Sequence, residues 1–278
     1  MNRLQQDSLA GCAVDAARVA GEYALTHYNR RTETFLRSAH DIKLQLDIEC
    51  QERASAIIRK GYPRHAILGE EGGHLDLDAE VCWIIDPIDG SVNFSHGLPL
   101  WCCSVAALSE KKIIAGAVFI PMLNQVYAAT LNGPALCNGS PIRVSTVSTL
   151  ANATVAVSAA ARDMDEGRSI RVLEELLPIC QKVRIYGSAA IDLCYVASGQ
   201  FDAYAEPSIH LWDCAAGALV VARSGGRIEV LESLDAIRMR MIASNGLLHE
   251  AFGSAVRRGL SVQAATSTPV PSPWDSAH

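Results

Sequence analysis

The chain has 278 residues, 49% of them hydrophobic and 19% charged, enough to bury one large core or two closely packed ones. A formal net charge of −6 and the lack of any basic tract argue against a nucleic-acid partner. No window is apolar for long enough to span a bilayer, and the opening MNRLQQDSLAGCAVDAA has no continuous apolar core of signal type. A cytoplasmic protein without membrane contact is expected. The nine cysteines form no CxxC pair. Cys82, Cys180 and Cys194 lie singly among apolar residues, and Cys102-Cys103 would point to opposite faces of a strand, so all read as small buried thiols.

Taken in order, residues 7–29 place Leu9, Ala13, Ala16, Val19, Ala20, Tyr23 and Ala24 at helical spacing. A second helix fits 47–61, with Ile48, Ala54, Ile57 and Ile58 inward. The pattern then shortens: 66–69 and 81–86 are apolar runs bounded by Gly and polar turns, read as buried strands. SVAALSE, KIIAGAVFI and QVYAATL follow as strands, and Gly133 and CNGSPIRVS close a β-rich half, residues 1–145. The second half, 146–262, alternates. Strands are expected at 153–158, 182–187, 201–206, 227–232 and 240–245, and helices at 165–180, 188–199, 212–226 and 247–259. Such alternation argues an α/β layer architecture. The tail, 263–278, is rich in Pro, Ser and Thr and is expected to be disordered.

Three carboxylate stations stand at the ends of apolar elements. The first is Gly69-Glu70-Glu71, after the strand at 66–69, which read alone is an acidic turn. The second is Trp83-Ile84-Ile85-Asp86-Pro87-Ile88-Asp89-Gly90-Ser91. Here Asp86 is expected to end a strand, with Asp89 and Gly90 in the turn. Two like charges this close to a buried run repel, and a cation between them would offset the cost. Hard divalent ions such as Mg²⁺ take carboxylate and carbonyl oxygens, here Asp86, Asp89 and the Ile88 carbonyl. Gly90 lets backbone approach a ligand, and the Gly90 and Ser91 amides can face a phosphate. The third is Trp212-Asp213-Cys214-Ala215-Ala216-Gly217, where Asp213 is either a helix cap or a ligand. Together the three point to a shared metal site of the kind that flanks a phosphoryl group.

These residues resemble the inositol monophosphatase family over roughly residues 7–260. The stretch Trp83 to Phe94 is similar to its first signature, Trp212 to Gly217 to its second, and Gly69-Glu70-Glu71 to its upstream acidic element. The resemblance implies a layered α/β/α/β/α sandwich (α+β in class), Mg²⁺ at two or three positions, lithium sensitivity and a homodimer. It implies that Glu70 ligates metal and helps orient water, that Asp86 and Asp89 bridge metals, and that Asp213 holds a metal beside the leaving oxygen. Ser91, with Asp47 or Glu70, would position and deprotonate the water. Gly90, Ser91, Ala189, Glu206 and Asp213 would contact substrate, with Asp47 and Glu71 behind them. The chain departs from the family's V-T-x-x-D pattern: Lys43-Leu44-Gln45-Leu46-Asp47 lacks the Thr, which bears on the third metal.

No Cys or His stands in a phosphatase nucleophile motif, and the DxD pairs Asp76/Asp78 and Asp163/Asp165 lie in polar turns. In-line attack by metal-activated water is therefore the economical chemistry. A phosphomonoesterase acting on a small phosphate ester, foremost inositol 1-phosphate, is expected. Fructose 1,6-bisphosphate, histidinol phosphate, 3′-phosphoadenosine 5′-phosphate and a non-catalytic binding or regulatory role stay open. His210, Trp83 and Trp212 are expected to pack, and His65 and His96 to be solvated.

Overall fold

The computed structural model describes residues 1–37, 42–159 and 167–261. The tail 263–278, the Asp163/Asp165 pair and residues 38–41 lie outside the described residues.

Helix α1 spans Arg3–Thr26. It starts earlier than its apolar spacing because Asn2 caps it. The Asn2 side chain accepts from the Gln5 amide at 3.0 Å, and Gln5 Oε1 accepts from the Asn2 amide at 2.9 Å. A small antiparallel pair, β1 (Thr34–Arg37) and β2 (Ile42–Leu44), leads into α2 (Gln45–Gly61). The Leu44 amide at the start of α2 donates to Asp47 Oδ2 at 2.9 Å.

An eight-stranded sheet follows. Its strands are β3 (Ala66–Gly69), β4 (Gly72–Gly73), β5 (Cys82–Asp89), β6 (Cys102–Ser109), β7 (Lys112–Ile120), β8 (Gln125–Thr130), β9 (Leu136–Cys137) and β10 (Ser140–Pro141). They lie in the order β10-β9-β8-β7-β6-β5-β3-β4, antiparallel except for β3 beside β5. The short helix α3 (Ser91–His96) leaves the end of β5.

The second half delivers β11 (Thr154–Val157), α4 (Arg168–Leu176), β12 (Lys182–Arg184), α5 (Ala189–Ala197), β13 (Ala203–His210), α6 (Leu211–Arg223), β14 (Arg227–Ser233), β15 (Arg238–Ser244) and α7 (His249–Leu260). Its sheet order is β12-β11-β13-β15-β14. The helix expected at 165–180 is shorter because Pro178 cannot continue it.

Three apolar clusters fix the layers. The first joins α1 and α2 to one face of the large sheet through Leu9, Ala13, Ile58, Trp83, Ile85 and Phe119. The next residues along the same strands, Ile84, Val118 and Ile120, point the other way. They meet α5, α6 and the inner face of the second sheet through Leu193, Leu219, Tyr204 and Met241. Val155, Val157 and Ile242 on the far face of that sheet pack on Val172 of α4 and Phe252 of α7. The result is the expected α/β/α/β/α sandwich, with strands apolar on both faces because both are covered. Each fully buried Ile or Leu contributes roughly 1.5–3 kcal/mol. Gly217 lets α5 and α6 sit close: a Cβ there would come within 2.8 Å of Leu193 Cβ. No helix among the described residues is long and apolar enough to cross a membrane. All nine cysteines are free.

Two histidines are structural. His65 is not solvated as expected; its Nδ1 accepts from Trp83 Nε1 at 3.0 Å. His249, buried on α7, bridges Ser244 (Nδ1 to Oγ, 2.8 Å) and Glu229 (Nε2 to Oε2, 3.1 Å), and Arg257 also reaches Glu229. The His249 hydrogen bond first, and Arg257 after it, hold the Glu229 carboxyl down at about 2 against the opposing effect of burial. A depressed folded pKa gives stability that is present above the ordinary carboxylate value near 4.5 and fades as pH falls toward 2. Glu229→Gln is expected to lose about 1–2 kcal/mol at pH 7 and almost nothing near pH 2, measured by denaturant unfolding at both. An equal loss at both pH values would remove the carboxylate from the account.

Candidate active site

The strand carrying the second acidic station does not end at Asp86. It runs on to Asp89, with Asp86 opposite Ser104 and Asp89 opposite Cys102. Three steps on β5 thus match two on β6, a bulge at Pro87-Ile88, where proline has no amide to donate to the ladder. The bulge has a chemical consequence. Residues three apart on a regular strand face opposite sides, but the extra residue turns both carboxylates into one cleft.

That cleft has a volume of about 550 Å³. Glu70, from the β3–β4 turn, lines it together with Asp86, Ile88, Asp89, Gly90 and Ser91. The second half contributes Ser188, Ala189 and Asp192 around the start of α5, Tyr204, Glu206, Ser208 and His210 from β13, and Trp212 and Asp213 from α6. The strand expected at 201–206 continues to His210, so every second residue of its end faces the cleft and α6 starts directly after it. His210 stacks on Trp212 with ring centroids 4.5 Å apart and planes 6° from parallel. Trp212 therefore packs as expected and also forms part of the wall.

Two residues lock the halves together. Asn93 Nδ2 donates to the carbonyls of Leu100 and Tyr186, both at 2.7 Å, which explains an Asn in the first signature. Gly90 has φ +88°, and a Cβ there would sit 2.9 Å from the Leu100 carbonyl oxygen and 3.3 Å from that of Gly187. Gly90→Ala should destabilise by about 1–3 kcal/mol and cut turnover sharply. A thermal melt and a rate measured together check this, and a variant with unchanged melting and rate would disprove the close approach.

Asp89 is gripped from across the cleft. Its Oδ2 accepts from Ser188 Oγ at 2.7 Å and the Ala190 amide at 2.8 Å, and its Oδ1 from the Ala189 amide at 3.3 Å. The first turn of α5 thus orients a carboxylate of the other sheet, aided by the helix dipole. Burial raises the Asp89 carboxyl, and these bonds pull it back. Asp213 accepts from the His210 amide at 3.1 Å, so the cap role is real, yet the side chain also faces the cleft. Burial and the fields of Glu70 and Asp89 push it well above the ordinary carboxylate range.

Asp86 decides what the cluster wants. It is 1% exposed, and its Oδ1 has no hydrogen-bond partner among the described residues. Burial first, then Glu70, Asp89, Asp213 and Asp47, push its carboxyl well above the ordinary range. A buried carboxylate oxygen without a donor, facing further carboxylates, is an electrostatic debt that a cation removes. Among the described residues no three His, Cys, Asp or Glu side chains form a ready ion cage. Mg²⁺ needs none, because it binds through one or two carboxylates and keeps several waters. The donor set, all oxygen, fits that ion.

Asp47 and Glu71, expected behind the contact residues, are not in the cleft lining. Asp47 is buried behind it on α2, accepting from the Leu44 amide, and its field raises the Asp86 carboxyl. Glu71 is outside the lining; its amide donates to Gln51 Oε1 at 2.9 Å. Ser188, Asp192 and Tyr204 line the cleft and were not anticipated. A signal for the first two existed in Gly187-Ser188-Ala189-Ala190-Ile191-Asp192, where Asp192 lies three residues after Ala189 and so on its helical face.

The model of the inositol monophosphatase family matches residues 5–260. The chain belongs to that family. Its members are phosphatases, hydrolases of phosphoric monoesters, and depend on a metal, generally Mg²⁺. Inositol monophosphatase 2 of Solanum lycopersicum is 32% identical over 258 residues, 88% of this chain and 96% of that protein. Nus factor SuhB of Pasteurella multocida (strain Pm70) is 35% identical over 220 residues, 78% and 82% of the two chains. Among solved structures, the inositol monophosphatase from Anabaena (Nostoc) sp. PCC 7120 superposes with a TM-score of 0.81 at 29% identity, covering 92% of this chain and 97% of that one. The family's layered fold is the one described above.

Proposed function

We propose that this protein hydrolyses the phosphomonoester of a small polyol, foremost inositol 1-phosphate, to the free polyol and phosphate. The observation that supports this best is the buried, donorless Asp86 Oδ1 among Glu70, Asp89 and Asp213, beside a cleft wall that offers Glu206 and Ala189 to a leaving group. Glu70, Asp86, the Ile88 carbonyl, Asp89 and Asp213 would hold two or three Mg²⁺. Bound there, Mg²⁺ lowers the pKa of water and neutralises phosphoryl charge. In this reading Glu70 and the Ser91 hydroxyl position the attacking water, and the Glu70 carboxylate takes its proton. The Gly90 and Ser91 amides face the phosphoryl oxygens. Glu206, held by the Tyr204 hydroxyl and the Ser208 amide (3.3 Å), orients the leaving group as an acceptor for its hydroxyls. Asp213 steadies the departing side. Inhibition by lithium, a homodimer and a cytoplasmic location belong to the same reading.

The test is phosphate release with Mg²⁺ from inositol 1-phosphate, fructose 1,6-bisphosphate, histidinol phosphate and 3′-phosphoadenosine 5′-phosphate, with EDTA and Li⁺ controls. EDTA-sensitive turnover strongest on inositol 1-phosphate is expected, and preference for another compound would reassign the substrate. A second reading is favoured by the similarity to proteins named Nus factor SuhB: a regulatory binding role. It predicts Mg²⁺ binding without turnover of any panel compound.

A further inference from the structure

Asp192 has no part in the roles above, yet it is placed to have one. It sits in the first turn of α5, three residues after Ala189, and lines the same cleft as Glu206. It is 2% exposed, and its Oδ1 has no hydrogen-bond partner among the described residues. An acid in the first turn of a helix gains from the dipole, but at the surface it gains as much without losing water. Burial, then the fields of Asp89 and Glu206, raise its carboxyl well above the ordinary range. No lysine or arginine is among the described residues lining the cleft. The mouth beside α5 is apolar instead, with Val92 and Ile185 46% and 53% exposed.

We propose that Asp192 is a specificity-determining residue on the leaving-group side, accepting a hydrogen bond from a hydroxyl of the departing polyol and excluding leaving groups that bear a second phosphate. This rests on the polyol-phosphate reading. A carboxyl acceptor left over in a desolvated cleft is satisfied by an O–H donor and by little else the cleft offers. Two carboxyl groups with no described cation beside them repel a second phosphate, so the wall selects both for hydroxyls and against anions. In this reading the phosphoryl group itself is held elsewhere, at the start of α3 and by the Mg²⁺ that Asp86 and Asp89 would hold.

The experiment compares the full chain with Asp192→Ala, which removes the acceptor, in Mg²⁺, on inositol 1-phosphate and fructose 1,6-bisphosphate, with inhibition by inorganic phosphate as a third readout. The variant should raise KM for inositol 1-phosphate about tenfold and leave kcat within about threefold. Phosphate inhibition should be unchanged, and the preference for the monophosphate should shrink about tenfold. Asp192→Leu, which fills similar space without an acceptor, serves if the Ala variant does not fold. Unchanged KM and preference in an active protein would overturn the assignment alone. A KM rise matched by weaker phosphate inhibition and a lower melting temperature would make Asp192 structural and overturn it as well. Failure of the wild type to release phosphate from either compound would instead overturn the polyol-phosphate reading beneath it.

Discussion

Asp213→Asn leaves the protein folded and lowers phosphate release at saturating Mg²⁺ by at least about a thousandfold. The substitution separates the two things Asp213 does. As a helix cap it accepts from the His210 amide at 3.1 Å, and an asparagine oxygen accepts the same bond, so α6 keeps its start. As a charge in the cleft it adds to the field that Glu70, Asp86 and Asp89 build together, and asparagine removes that. Asp89→Asn should be as inactive but is a less clean test. Asp89 already accepts from Ser188 Oγ and the Ala189 and Ala190 amides, and an amide nitrogen turned toward those donors would clash with them. Circular dichroism and melting curves should match the wild type for Asp213→Asn, while the rate collapses. A near-wild-type rate would take Asp213 out of the metal site and leave it a cap.

The layers were legible because periodicity reports burial, and here burial was strong on both faces of each sheet. Trp83 and Ile85 on one side of β5, and Ile84 on the other, belong to two different cores, as a continuous apolar run predicts. The signatures were legible because each ends an apolar element with a carboxylate. What the sequence could not give was the bulge by which Asp86 and Asp89 converge. The expected turn after Asp86 is instead a strand that bulges and runs on to Asp89, paired with Ser104 and Cys102. The extension of β13 to His210 was hidden for the same reason, since Pro207 and Ser208 read as a turn and instead make a second irregularity in the ladder. Asp192 was hidden by its setting: it lies inside an apolar helix, and nothing local says which way its carboxyl faces. His65 needed Trp83, eighteen positions away in sequence, to become a half-buried acceptor.

Asp86→Asn should stabilise the metal-free protein while destroying its response to Mg²⁺. In the absence of a cation, Asp86 is buried and faces the fields of Glu70, Asp89, Asp213 and Asp47, so its folded carboxyl lies above the ordinary value. The sign follows from linkage. A carboxyl whose folded pKa is raised is most favourable at pH below its unfolded value, and its contribution falls as pH rises through the folded pKa. At pH 8, well above the unfolded value, the wild type therefore carries this cost. Asparagine keeps the shape, removes the charge and brings an N–H that can donate to a neighbouring carboxylate. A gain of about 1–2 kcal/mol is expected, which for a chain this long is roughly 2–5 °C in melting temperature. Mg²⁺ inverts the order. At a hundred times its Kd, it would stabilise the wild type by about 2.7 kcal/mol through mass action, and the variant, lacking the negative charge, gains little. Melting curves at pH 8 with EDTA and with a Mg²⁺ series test both halves at once. A variant that melts lower than the wild type in EDTA would mean that the acidic cluster is not under net repulsion. A variant that keeps the full Mg²⁺ shift would move the ion away from Asp86. The crossing of the two curves is the signature of a site whose charges are tolerated in the fold because a cation completes it.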